Sequence, residues 1–451
     1  MTSEQTKLKS IAISILIAVI FFAISISVFD MKQSLLIGVI AMLVALWTNE
    51  ALPLGVVSLM PIVLFPMLGI LDTSEVAANY SKTIIFLFIG GFMLAIAVEK
   101  TGLHRYFSGK LLSYFPNTST GIIYALAFTS AVLSSILSNT TVTLMLMPVA
   151  MFLTENEKLK ARFLLATAYG ASIGGVLTPI GTPPNLILLG FLEEHNISPV
   201  PFGEWMLMMF PVVLSMLGIV PWFLSRGLGG VGVKARTMQS AKLNEEQKRL
   251  NWIIITLAIL LFVNTFSERL FGFTINEKTL LLAFGLLMFV PGVGFLEWKD
   301  TRKLPYEIIM LFGAGFSIAK ATVDTNLAME IARHLSFIET MPLVPMLLVV
   351  VFFVIFSTEV TSNTALISIA LPIFYEFSKN VGESTGAIML LSATVAASFA
   401  FMLPIATPPN AIVMSSGAIE IKQMAKIGFR INLIGIVIIV VVAVAFWQWM
   451  F

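Results

Sequence analysis

The chain has no cysteine, only three histidines and few charges: of its 451 residues, 12% are Asp, Glu, Lys or Arg. Each shortage excludes something. Without thiols there is no disulfide, no thiolate chemistry and no Cys-ligated metal, and the chain is indifferent to the redox state of its compartment. His104, His195 and His334 are far apart and none belongs to a ligand-spaced pair. No cluster of His, Asp and Glu has metal or general-base spacing, which argues against an enzyme. The net charge of +2 says little about partners before its distribution is read, and no nucleic acid is expected. With 58% hydrophobic residues and a mean hydropathy of +0.95, there is too little polar side chain to cover a soluble globule of this size. The apolar runs approach the ~20 residues a helix needs to cross the bilayer, and they do not alternate as outer-membrane strands do. The reading is an all-α polytopic membrane protein in a lipid bilayer.

What the chain does contain is an internal repeat of a polar motif. Ser138-Asn139-Thr140 is followed by Gly181-Thr182-Pro183-Pro184-Asn185, and Ser362-Asn363-Thr364 by Ala406-Thr407-Pro408-Pro409-Asn410. The Ser-Asn-Thr copies lie 224 positions apart and the Thr-Pro-Pro-Asn copies 225 apart, about half the chain. Gly91-Phe92 and Gly315-Phe316 are also 224 apart. Buried polar motifs in hydrocarbon are costly unless they bind something, so a site shared between two halves is expected.

Spanning candidates are residues 10–29, 33–48, 52–70 and 83–98, followed by an amphipathic stretch at 101–115 that reads as a helix on the membrane surface. The first run has no small-residue cleavage site behind it and reads as a retained helix. Residues 122–153 are apolar but split by Ser134, Ser135 and 138–141, which suits a re-entrant hairpin. Residues 163–189 are interrupted by Thr178-Pro179 and Pro183-Pro184, so a broken helix is expected there. A sixth crossing at 205–224 leads into a polar, Gly-rich connection at 226–249. The second half repeats the plan: spans at 252–266, 279–293 and 305–323, an amphipathic stretch at 326–337, a split hairpin at 344–377, a broken helix at 387–416 and a last span at 427–449.

Charge tests this topology. With the amino terminus inside and both hairpins re-entrant, 20 of the 27 Lys and Arg fall on the cytoplasmic side, as the positive-inside rule requires. The result is eleven transmembrane helices plus two re-entrant hairpins in two inverted repeats, with two broken helices. Five crossings per repeat invert the second copy, bring the hairpin tips together near the midplane and put the carboxyl terminus outside.

Residues 131–150, 163–225 and 351–378 contain no Lys or Arg. A ligand there must be held by Ser and Thr hydroxyls, Asn amides, freed backbone carbonyls and helix amino ends. Hydroxyl, amide and carbonyl oxygens suit a hard cation such as Na⁺, and helix amino ends suit an anion. The pair is what coupled transport of an anion with cations needs. Hydroxyls and amides also glue membrane helices together, and duplication on interrupted helices is what favours a binding role. Glu359, three residues before Ser362, is either functional or a carboxylate paired or water-exposed at the hairpin's flank. Glu50 and Glu307 read as boundary charges, and His104 as an interfacial residue.

Ala397-Ser398-Phe399 through Phe401, Pro404-Ile405-Ala406, Asn410 and Ile412-Val413 resemble the signature of the divalent anion:sodium symporter family, the INDY-type dicarboxylate transporters. With both copies of each motif present, the resemblance covers essentially the whole chain. It implies a homodimer in the cell's inner membrane working by an elevator mechanism, with a scaffold of residues 1–116 and 251–340. The transport domain would be 117–225 and 341–451, and 226–250 the cytoplasmic linker. Carried over by motif position, one Na⁺ site uses Ser134, Ser138, Asn139 and the backbone of Gly181; the other uses Thr358, Thr361, Asn363 and the backbone of Ala406. At Thr361 the family places small residues, so a carbonyl there is as compatible as the hydroxyl. The substrate meets Asn139, Thr140 and Thr182 from one half and Asn363, Thr364 and Thr407 from the other. Exchangers of the family carry basic residues near these motifs; their absence here favours Na⁺ cotransport. The expected function is import of C4-dicarboxylates such as succinate, malate or fumarate, with sulfate or citrate symport, or exchange, as alternatives on the same scaffold.

Overall fold

A computed structural model describes residues 3–195, 197, 200–228, 242–273 and 275–450. Among them are twenty α-helices and no strand. Gly229, Gly230, Gly232, Lys234 and Arg236 of the expected linker lie outside the described residues.

The first half runs α1 (Ser3–Ser25), α2 (Met31–Asn49), α3 (Leu54–Met67), the short α4 (Thr73–Asn79), α5 (Thr83–Thr101) and α6 (Leu103–Ser113). It continues with α7 (Ser119–Ser134), α8 (Asn139–Phe152), α9 (Glu157–Gly175), α10 (Pro183–Glu194) and α11 (Phe202–Ser225). The second half comprises α12 (Glu245–Phe271), α13 (Glu277–Leu287), α14 (Tyr306–Asp324), α15 (Leu327–His334), α16 (Leu343–Thr358), α17 (Asn363–Val381), α18 (Glu383–Ala397), α19 (Pro408–Ser415) and α20 (Ile421–Ala445). The stretches containing α1, α2, α5, α11, α12, α14 and α20 are long and apolar enough to cross a membrane. The other expected crossings fall on α3 and α13, which are short, and on the pairs α9/α10 and α18/α19, in which the crossing is divided between two helices.

Breaks occur where the sequence removes helical hydrogen bonds. Pro183-Pro184 and Pro408-Pro409 start α10 and α19, where a missing N–H costs nothing because the first turn has no partner for it. The α13 helix stops at Leu287, short of residue 293, because Pro291-Gly292 follows and Gly292 takes a left-handed φ of 80°. Residues 101–115 do form a helix, but α6 folds back against α7. His104 is thus buried rather than interfacial, its Nδ1 3.0 Å from the Val98 carbonyl.

Packing is matched between the halves. The α7 helix packs on α9 and α11 as α16 packs on α18 and α20, and α8 meets α19 as α17 meets α10. Likewise α3 packs on α14 and α5 on α13, so each pair joins helices from different halves. Small residues allow the closest approaches: a methyl on Gly170 or Gly174 of α9 would collide with the backbone of Ala127 or Ala131 on α7. A separate hydrophobic core joins α2 and α3 to α14, through Leu43, Phe65, Leu311 and Ile318.

Candidate functional site

The twin motifs meet. Four helices begin at one cavity of about 270 Å³: α8 at Asn139, α10 at Pro183, α17 at Asn363 and α19 at Pro408. The positive ends of these helices therefore point toward one space, with free first-turn amides from α8 and α17 only, because prolines remove the first two N–H groups of α10 and α19. Ser138, Asn139, Thr140, Gly181 and Thr182 line it from the first half, and Thr361, Ser362, Asn363, Thr364, Ala406 and Thr407 from the second. Glu50 is the sole charged residue of the lining, so no side-chain cation serves an anion there.

Ser134 and Thr358, the remaining expected ligands, are fully buried behind the wall and reach the cavity through the asparagines. Ser134 Oγ donates to Asn139 Oδ1 at 2.5 Å, and Thr358 Oγ1 to Asn363 Oδ1, also at 2.5 Å. The two halves thus build one arrangement twice. Thr358 Oγ1 additionally lies 3.0 Å from the Ala397 carbonyl. Two expected hydroxyls are engaged locally: Thr361 Oγ1 donates to the Ser357 carbonyl at 2.8 Å, and Ser138 Oγ pairs with Thr141 Oγ1 at 2.8 Å. In donating its hydrogen the Thr361 hydroxyl keeps its oxygen lone pairs, so both it and the backbone carbonyl stay open to a cation.

Gly175 escaped the sequence, and the contacts of Asn185, Asn410 and Glu50 were not legible in it. Gly175 ends α9 with its Cα against the first cluster: a Cβ there would stand 2.8 Å from Asn139 Oδ1 and 3.1 Å from the Gly181 carbonyl oxygen. Asn185 and Asn410 do not reach the cavity; they staple the breaks. Asn185 Nδ2 donates to the carbonyls of Gly175 (3.3 Å) and Thr178 (2.8 Å), and Asn410 Nδ2 to those of Ala400 (3.0 Å) and Leu403 (3.1 Å). The partners are 225 positions apart in both cases, a signal available from the repeat alone. Glu50 stands on the rim with a left-handed φ of 51°, a backbone cost that a boundary charge does not require.

A larger cleft of about 600 Å³ lies between α1, α2, α14, α15 and α17 and shares Thr48, Val360 and Thr361 with the polar cavity. Its lining is almost wholly aliphatic and offers an ion few ligands. The repeated polar motifs line the smaller space.

An all-helical apolar bundle whose interrupted helices converge on a polar cavity has the design of a membrane carrier. Among the described residues no group of three His, Asp or Glu could hold a metal for catalysis. Residues 4–451 match the family model described as the sodium:sulfate symporter transmembrane region, and the chain belongs to this divalent anion:sodium symporter family, a family of transporters rather than enzymes. It is 32% identical over 431 residues to the sodium-dependent dicarboxylate transporter SdcS of Staphylococcus saprophyticus, covering 88% of this chain and 82% of that protein. The corresponding protein of Staphylococcus aureus is 31% identical over 430 residues with the same coverage. In fold the chain is similar to the YdaH transporter of Alcanivorax borkumensis, with a TM-score of 0.57 at 16% identity over 92% of this chain and 98% of that one. The MtrF protein of Neisseria gonorrhoeae gives a TM-score of 0.59 at 13% identity over 94% and 97%.

Proposed function

We propose that this protein is a Na⁺-coupled transporter that imports C4-dicarboxylates across the cell's inner membrane. The observation that carries the reading is the duplicated Ser/Thr–Asn cluster at a cavity fed by four helix amino ends and free of Lys and Arg. The names of the staphylococcal relatives support the sodium and the dicarboxylate.

The mechanism follows from charge. A dicarboxylate brings two negative charges into a space without side-chain cations; four helix ends at about half a charge each would match it only if all four served it in full, and Glu50 on the rim adds a further negative charge. Co-bound Na⁺ provides the rest. Ser134, Ser138, Asn139 and the Gly181 carbonyl hold one Na⁺; Thr358, the backbone at Thr361, Asn363 and the Ala406 carbonyl hold the other. The asparagine amides carry both jobs: Oδ1 faces the cation cluster, leaving the N–H groups, with the hydroxyls of Thr140, Thr182, Thr364 and Thr407, for substrate carboxylates. Substrate affinity therefore depends on bound Na⁺, which is the coupling.

The matched packing of the halves supports two inverted repeats, with α7/α8 and α16/α17 as re-entrant hairpins among eleven crossings. In this reading α1–α6 and α12–α15 are the scaffold of a homodimer, and α7–α11 with α16–α20 the elevator that carries the site. With the amino terminus cytoplasmic and the carboxyl terminus external, the rim residues Glu50, Leu54 and Ile308 stand at the inner ends of scaffold helices, so the cavity faces inward. At the outer side, Lys82 pairs with Glu194 at 2.6 Å and Lys278 with Glu193 at 2.5 Å, joining scaffold to elevator. These pairs latch the inward state, because elevator travel separates them.

Uptake of labelled succinate into liposomes containing the purified protein tests the proposal. It should require Na⁺ and be competed by malate and fumarate. Uptake unaffected by replacing Na⁺ with choline would end the coupling claim, and stronger competition by sulfate or citrate would reassign the substrate.

A further inference from the structure

Glu359 is 3% exposed at the end of α16, and four donors converge on its carboxylate. Oε1 accepts from the backbone N–H of Phe401 (2.7 Å) and Met402 (2.9 Å) and from Asn432 Nδ2 of α20 (2.7 Å); Oε2 accepts from the N–H of Leu403 (3.0 Å). Residues 401–403 are the unwound stretch between α18 and α19. A break at membrane depth frees amides that water cannot reach, and here one side chain takes three of them.

The first half solves the same problem with other atoms. Ser135 occupies the position of Glu359, 224 residues earlier, and Thr178 that of Leu403, 225 earlier. There Thr178 Oγ1 donates to the Ser135 carbonyl at 2.5 Å, while the amides of Val176 and Leu177 turn back on Ile173 and Gly174. In both halves the break donates and the hairpin accepts, but the side chain of the link belongs to the break in the first half and to the hairpin in the second. In the second half, Ser398 and Phe399 turn back on Val395 and Ala396, whereas the amides of Phe401, Met402 and Leu403 go to Glu359.

We propose that Glu359 is a positioning residue for the second cation cluster. It follows Thr358 directly, so its backbone is continuous with one wall of the cluster. Its carboxylate fixes Leu403, whose carbonyl in turn accepts from Ala406 N–H (3.2 Å) and Asn410 Nδ2 (3.1 Å), setting the other wall. Through Asn432 it also binds both walls to α20, so hairpin, break and last helix move as one body. This rests on the transport reading above and adds to it the residue that shapes one Na⁺ site without touching the ion or substrate.

The test is a Na⁺ titration of succinate uptake for Glu359→Gln, which keeps the side chain's size but turns a second N–H group toward donors. The half-saturating Na⁺ concentration should rise about tenfold or more, while KM for succinate at saturating Na⁺ stays within about twofold of wild type. Asn432→Ala, which removes one donor and leaves the carboxylate, should shift Na⁺ half-saturation about threefold in the same direction and decides the matter if Glu359→Gln does not fold. An unchanged Na⁺ half-saturation in a folded Glu359→Gln protein, with or without a lower maximal rate, would overturn the inference, as would an unchanged value in Asn432→Ala. A wild-type protein whose uptake ignores Na⁺ would instead overturn the proposed function.

Discussion

Gly175→Ala separates binding from stability at the first cation cluster. The glycine ends α9 at an ordinary helical φ, so alanine costs the backbone nothing and gains up to ~1 kcal/mol of helix propensity. Against this, the new methyl would stand 2.8 Å from Asn139 Oδ1 and 3.3 Å from Asn139 Nδ2, well inside van der Waals contact for the first. The amide must give by about half an ångström, which weakens its hydrogen bond from Ser134 by roughly 0.5–1.5 kcal/mol. The two effects nearly cancel in folding. They do not cancel in Na⁺ binding if the displaced atom is the ligand proposed above, because the methyl also crowds the Gly181 carbonyl at 3.1 Å. Weakening a charge-assisted ligand costs about 1.5–3 kcal/mol, or ten- to a hundredfold in Na⁺ half-saturation. The assay is Na⁺-dependent thermal stabilisation in detergent alongside uptake in liposomes, since a ligand that binds only the folded state raises its stability. Gly170→Ala, one turn earlier, is the control. Its methyl meets the Ala127 backbone, so it should lower the melting temperature and leave Na⁺ half-saturation alone. If Gly175→Ala folds and its Na⁺ half-saturation is unchanged, Asn139 Oδ1 is not a cation ligand.

Asn139→Ala and Asn363→Ala should each abolish uptake with membrane insertion intact, measured by uptake beside surface labelling; transport retained in both would reduce the motifs to packing. Tyr169→Phe deletes a fully buried hydroxyl that donates to the Phe401 carbonyl at 2.8 Å, and should cost ~1–2 kcal/mol, read as a drop of a few degrees in unfolding temperature. Glu193→Gln with Glu194→Gln removes both outer ion pairs. At up to ~1 kcal/mol each, their loss should move the equilibrium up to about thirtyfold toward the outward state. With Ile308→Cys as the sole cysteine of the chain, maleimide labelling from the cytoplasmic side should fall in that variant; undiminished labelling would remove the latch.

Helix existence was legible in the chain because hydrocarbon admits few alternatives: apolar runs become helices, and Pro-Pro or clustered hydroxyls mark where they stop. The duplicated Asn139 and Asn363 announced a shared site for the same reason, since unsupported polar groups at depth are costly. What periodicity could not supply was contact between residues remote in the chain. That α6 folds onto α7 and buries His104, or that Gly175 abuts Asn139, depends on the path of helices through space. So does the fate of Glu359: its charge was visible, but the three amides it accepts from are freed forty residues away by a break in another helix. Composition and repeat determined the solvent, the helices and the polar motifs, because those follow from local solvation. Only the tertiary structure decided which freed backbone groups each side chain must satisfy, because that is a property of packing.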